Sequence, residues 1–273
     1  MQHKKMKAFI MTIMGLTTMT AHAENDSAAE IAKKLNNPIA NMTSVPFQGN
    51  FDQNMGVNNN GEKYYMNIQP VIPFSINNDW NMISRTIFPL IHQTNLIPGT
   101  SQEGNGDTTQ SLFFSPKAPT ADGWIWGVGP AFLLPTASDA KYLGSEKWGV
   151  GPTAVVLKQK DGWTYGALVN HISSFAGEDK RENVSATYMQ PFLSYTTHTY
   201  TTFSINTEST YNWKADDASN AWSVPINVAA AQLFKVGKQP MQLQLGARYW
   251  EESPDGGAEG WGLRLAYTLV FLK

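Results

Sequence analysis

His171 and Ser173 stand two apart, the one arrangement in this chain whose types and spacing suit nucleophilic catalysis. In an extended strand alternate side chains share a face, so these two would lie together. A serine becomes a nucleophile only with a base in reach and a third group orienting that base. Asn170 falls on the opposite face and no orienter is evident, so the plainer reading, a His and a Ser at an interface beside Phe175, is the better one. His92, His171 and His198 fall on different predicted strands without ligand-spaced partners, so no metal site is expected. Gly127-Val128-Gly129-Pro130 and Gly149-Val150-Gly151-Pro152 are glycine-rich, but neither opens a helix. Each proline also removes an N–H that a phosphate would need, so no cofactor is expected. Gly127, Gly129, Gly149, Gly151, Gly166, Gly246 and Gly262 are read instead as inward positions, where glycine permits bends and leaves space.

The second candidate set is polar. Asn67, Gln69, Asn206, Glu208, Gln242, Gln244, Arg248 and Arg264 fall on one face of successive strands, and Arg85 joins them if it points the same way. Such residues either tune what passes through a lumen or pair with one another and fill it. The acidic stretch from Glu251 to Glu259 reads as a solvated loop, with divalent-cation binding at a lipopolysaccharide surface as the lesser alternative.

These residues sit on period-two strands. Trp261, Leu263, Leu265, Tyr267, Leu269 and Phe271 alternate with Gly262, Arg264, Ala266, Thr268 and Val270. Phe203, Ile205, Tyr211 and Trp213 alternate with Ser204, Asn206, Glu208, Thr210 and Asn212, and similar alternation runs through residues 241–249 and 64–75. Residues 79–93, 108–117 and 184–197 have mixed faces and are taken as strands from their β-branched and aromatic content. Counted as twelve strands, the links segregate by parity. Short ones fall at 77–79, 159–162, 197–200 and 236–240, with 117–123 longer. Long polar ones fall at 54–62, 95–106, 137–146, 176–183, 214–221 and 251–260. Short turns on one side and long loops on the other are the habit of bacterial outer-membrane barrels, and an even strand count returns the C-terminus to the side where the chain began. All nine Trp fall near strand ends. Trp80, Trp124, Trp126 and Trp163 lie on the turn side. Trp148, Trp213, Trp222, Trp250 and Trp261 lie on the loop side, giving two expected aromatic girdles.

Ahead of the strands, Lys4, Lys5 and Lys7, an apolar stretch from Ala8 to Met19 and Ala21-His22-Ala23 form the three-part grammar of a cleaved signal peptide over 1–23. Its loss takes 20 basic residues to 17 against 22 acidic, a net of −5, which excludes a broadly basic nucleic-acid binder. The absence of Cys argues against a small disulfide scaffold. No stretch is long and apolar enough for a spanning helix, so a membrane form must be a closed barrel. Residues 24–40 form an extension in which Ser27 and Glu30 have capping-box spacing and Pro38 forbids continuation, predicting a helix over 27–37, in the periplasm or in the lumen. Residues 41–273 form the barrel.

The segments Asn67 to Phe74, Asp79 to Arg85, Gly106-Asp107 with Ser111 to Lys117, Gly123 to Pro130, Gln190 to Tyr195, Ala247 to Trp250 and Gly260 to Arg264 resemble the transporter-like outer-membrane proteins of the phenol-degradation MetA-pathway family. Some members of that family carry the label "neuromedin U". The resemblance runs from about residue 31 to the end. It implies a membrane barrel with a transport role and brings no catalytic residues. The chain departs from the usual outer-membrane ending, with Lys273 last in place of an aromatic, so Phe271 would serve as the signal to the barrel-assembly machinery. The His171–Ser173 pair resembles an outer-membrane phospholipase arrangement, but Ser174-Phe175 follows where that family has Asn-Gly.

The expectation is an all-β, twelve-stranded antiparallel outer-membrane β-barrel, not an enzyme, with both termini periplasmic. It would pass small organic solutes, including aromatic or anionic ones, passively or by facilitation. Its surroundings would be outer-membrane lipid and lipopolysaccharide, with no nucleic-acid partner. Two alternatives stand beside this: a structural or surface-interaction barrel with a plugged lumen, and a lipid-active hydrolase using Ser173 and His171.

Overall fold

The computed structural model describes residues 27–272; the signal read in 1–23 and Lys273 lie outside them. α1 (Ala28–Leu35) opens the fold, and its capping box forms as the spacing predicts: Glu30 N–H donates to Ser27 Oγ and Ser27 N–H to Glu30 Oε2, both at 3.3 Å.

Twelve strands follow. They are β1 (Thr43–Met55), β2 (Gly61–Ile68 and Val71–Ser75), β3 (Trp80–Thr94), β4 (Ser101–Asn105 and Thr108–Pro116), β5 (Trp124–Leu134) and β6 (Lys147–Lys160). Then come β7 (Trp163–Gly177), β8 (Ser185–Thr196), β9 (Thr201–Thr207 and Ser209–Asn212), β10 (Trp222–Val236), β11 (Gln239–Glu252) and β12 (Gly260–Phe271). β2 is interrupted at Gln69-Pro70, where proline offers no ladder N–H, β4 at Gly106-Asp107 and β9 at Glu208. Each strand pairs antiparallel with the next, and β12 returns to β1 from Thr43↔Phe271 to Phe51↔Leu263, which closes the twelve-stranded barrel. Closure leaves no sheet edge, the one way a sheet can sit in lipid.

The alternation has its physical counterpart in exposure. On β12, Trp261, Leu263 and Leu265 are 60%, 63% and 52% exposed, while Arg264, Ala266, Thr268 and Val270 between them are 5%, 5%, 7% and 0% exposed. Oily side chains point to the lipid side and the others to the lumen. The short turns carry the backbone that hairpins need: Asp161 and Gly162 both have positive φ, and Gly237 heads the β10–β11 turn with φ 61°.

Three expectations are revised. The 95–106 loop is shorter, because Ser101–Asn105 zips onto β3 from Thr94↔Ser101 to Leu90↔Asn105. Trp250 turns into the lumen and donates to Asp52 there, away from the loop-side girdle expected of it. The inward face is also far from uniformly polar. Ile83, Phe113, Val155, Leu157 and Leu168, from β3, β4, β6 and β7, pack a dry core inside the barrel around Ile39 of the N-terminal segment. Opposite it, Ile31 and Ala32 of α1 are fully buried against Ala40, Met42, Leu233 and Val270. The residues from α1 to Met42 thus fill the turn-side mouth. Their burial of apolar surface places the helix in the lumen, the question the sequence left open. Gln159 Nε2 donates to Lys33 O at 2.8 Å and Asn36 Nδ2 to Thr196 Oγ1 at 3.1 Å, tying the segment to the wall.

The two Gly-Val-Gly-Pro runs lie side by side, with Pro130 opposite Pro152. A Cβ on Gly129 would lie 1.8 Å from Leu112 O, and one on Gly151 1.7 Å from His171 O. Neighbouring backbone crowds in where proline thins the ladder, so only glycine fits.

Candidate functional site

Above the N-terminal segment, toward the long loops, the lumen is crossed by a charged cluster. Arg248 on β11 and Arg264 on β12 are the wall positions that start it. In register, Arg248 lies opposite Gly262 and Arg264 opposite Gly246, so each guanidinium has a neighbour with no side chain to block it. On their other sides lie Asn227 and Asn50, both inward.

Arg248 is 2% exposed and uses all its donor atoms. Nε donates to Asn227 Oδ1 at 2.9 Å, Nη1 to Asp52 Oδ2 at 3.2 Å and to the Tyr65 hydroxyl, and Nη2 to Asn50 Oδ1 at 3.3 Å and Glu208 Oε2 at 3.1 Å. Arg264 makes a fork onto Glu208, Nη1 to Oε1 at 2.8 Å and Nη2 to Oε2 at 2.7 Å, while its Nε donates to Asn50 Oδ1 at 2.8 Å. Trp250 Nε1 donates to Asp52 Oδ1 at 3.0 Å. Two guanidinium groups and two carboxylates form the ion pairs, with Lys63 opposite Asp52 and over the Tyr65 ring, and a bidentate Arg–carboxylate pair is the strongest contact of this kind. Glu208 joins both arginines from β9, with two strands between it and β12, at the point where the β9 ladder is interrupted.

The expected lumen residues divide. Arg248, Arg264 and Glu208 form this cluster. Arg85, Gln69, Asn206, Gln242 and Gln244 line, with Arg264 and Glu208, a cavity of about 230 Å³ between the cluster and the N-terminal segment. Asn67 lines an adjoining cavity of about 270 Å³ with Arg85, Gln69 and Glu208. Arg85 differs from the other two arginines: its one hydrogen bond among the described residues runs from Nη2 to Gln69 Oε1 at 3.2 Å. Sequence reading missed Asn50, Asp52, Tyr65, Asn227 and Trp250. The signal for Asn50 and Asp52 was present, since they alternate with Phe47, Gly49 and Phe51 on β1.

On the lipid face, the register sets His171 opposite Thr187. Ser173 Oγ and His171 Nε2 are 3.0 Å apart, and His171 Nδ1 and Thr187 Oγ1 are 2.9 Å apart. Thr187 is thus the third group that the sequence did not reveal. Its hydroxyl also accepts from Trp213 Nε1 at 2.8 Å. No carboxylate joins this chain among the described residues. Facing lipid, which offers no hydrogen bonds, these polar groups satisfy one another and pin Trp213 at the loop-side rim.

The remaining tryptophans other than Trp148 stand against aromatic neighbours. On the turn side Trp80 meets Trp126 at 5.8 Å, Trp124 meets Tyr165 at 5.9 Å and Trp163 meets Tyr195 at 4.9 Å between centroids. On the loop side Tyr211 contacts Trp213 at 4.7 Å and Trp222 at 4.9 Å, and Tyr249 contacts Trp261 at 5.1 Å. Trp148, 47% exposed, stands at the start of β6.

No family model and no curated protein matches this chain. Solved structures do. The chain is similar to the COG4313 outer membrane channel from Pseudomonas putida F1, with 18% identity and a TM-score of 0.64 over 84% of this chain and 94% of that one. It is more weakly similar to outer membrane phospholipase A from Escherichia coli, with 11% identity and a TM-score of 0.49 over 86% and 97% of the two chains. A likeness to Salmonella typhi OmpF has 10% identity and a TM-score of 0.40 over 84% and 97%. At these identities the first likeness establishes the outer-membrane barrel fold, and the others add nothing to it.

Proposed function

We propose that this chain is an outer-membrane channel for passive or facilitated passage of small organic solutes, aromatic or anionic ones included. The observation that carries the reading is the pair of polar-lined lumen cavities beside the charged cluster, both bordered by Arg85. The resemblance to the MetA-pathway family and the fold of the Pseudomonas putida channel agree with it. In this reading the girdles meet outer-membrane lipid and lipopolysaccharide, the signal peptide and the assembly machinery deliver the chain, residues 27–40 act as a lumenal plug, and both chain termini face the periplasm.

A second reading, a structural or surface barrel with a permanently filled lumen, is favoured by the packing of Ile31, Ala32 and Ile39 in the mouth. Liposome swelling separates the two. Mature protein in liposomes should admit benzamide and similar neutral solutes, and deletion of residues 27–39 should raise the rate severalfold. No swelling with either protein would overturn the channel and leave the filled barrel.

A further inference from the structure

The lumen holds three arginines with different hydrogen-bond states. Arg248 donates five hydrogen bonds and Arg264 three, and both face carboxylates. These two are spent on each other's partners and cannot hold a solute without breaking the cluster. Arg85, on β3, has one, the neutral Gln69 amide oxygen, and no carboxylate lies within ion-pair distance of it among the described residues. A guanidinium carries five N–H donors in a planar fork that matches a carboxylate. Arg85 lines both lumen cavities, so its unused donors border open space.

The surroundings narrow the ligand. The cavity of about 270 Å³ has Asn67, Ser111, Asn170 and Tyr188 offering hydrogen bonds near Arg85, and Ile87, Leu168 and Ile172 forming an apolar wall. One cationic corner against one oily wall suits a monocarboxylate with a compact apolar body. A dicarboxylate would press its second charge against that wall or against Glu208.

From this we infer that Arg85 is the carboxylate-binding position of the lumen, selecting small apolar monocarboxylates from neutral and cationic solutes of similar size. The inference rests on the channel reading for its biological meaning, but binding can be measured without transport.

The probe is benzoate, titrated calorimetrically against the barrel in neutral-detergent micelles, with benzamide as the uncharged comparison. Wild type should bind benzoate at least tenfold more tightly than benzamide. Arg85→Gln should weaken benzoate binding roughly ten- to a hundredfold, the loss of one or two charge-assisted hydrogen bonds, and leave benzamide unchanged. Arg85→Lys, which keeps the charge without the fork, should fall between them. If Arg85→Gln fails to assemble, Arg85→Lys decides alone, and unchanged benzoate affinity in it overturns the assignment. So does wild type that binds benzoate no better than benzamide. Neutral-solute swelling with no effect of Arg85→Gln on benzoate binding would sink the Arg85 site and leave the channel. Arg85-dependent benzoate binding without any swelling would sink the channel and leave the site.

Discussion

Replacing Glu208 by Met tests whether the charged cluster holds the lumen together. Met is nearly isosteric with Glu, so packing changes little. The substitution removes the acceptor of three hydrogen bonds, two from Arg264 and one from Arg248. The side chains of Arg248 and Arg264 are 2% and 4% exposed, so water cannot replace the carboxylate. Arg264 is left with no carboxylate partner, and Arg248 keeps only Asp52. Removing one partner of a buried ion pair costs roughly 3–5 kcal/mol, because an uncompensated charge is left behind. The double variant Glu208→Met, Arg264→Met removes both partners of the fork. Arg248 keeps Asp52, Asn50, Asn227 and Tyr65, and the exchange of a pair for apolar groups should come within about 1 kcal/mol of wild type. Denaturant unfolding in micelles, followed by the fluorescence of the nine tryptophans, measures both. A single variant costing less than about 1 kcal/mol, or a double variant no more stable than the single, would refute the reasoning.

Gly151→Ala puts a methyl 1.7 Å from His171 O and should block assembly or cost well over about 2 kcal/mol. Gly49→Ala, whose nearest neighbour would be Leu265 O at 3.5 Å, should fold like wild type, and folded yield in micelles compares the two. Ser27→Ala removes the α1 cap and should loosen the segment in the mouth by about 1 kcal/mol, read as faster hydrogen exchange over residues 28–35. Ser173 should resist a fluorophosphonate probe in micelles, because no carboxylate supports His171; covalent labelling lost in Ser173→Ala would reverse that view and restore the hydrolase reading.

The barrel was legible in the chain because its physics is local. A lipid-facing strand must alternate, a hairpin must turn, and a helix must cap its first amides, so Leu263, Leu265, Asp161-Gly162 and Ser27 with Glu30 each declare their surroundings. The inward direction of Arg248, Arg264 and Glu208 followed from the same parity. What the strands could not declare was who meets whom across the lumen. Glu208 reaches Arg264 over two intervening strands, and nothing in either segment encodes that distance. It depends on the closure of the sheet and on Gly246 and Gly262 leaving the way open. The position of α1 is of the same kind: its apolar face requires burial, but only the curved wall bearing Leu233 and Val270 makes the mouth of the barrel the place for it. Likewise, Thr187 stands sixteen residues from His171 and fourteen from Ser173 in sequence and becomes their neighbour only through the register of β7 with β8. Alternation determined which way each side chain points; barrel closure and register decided what it finds there.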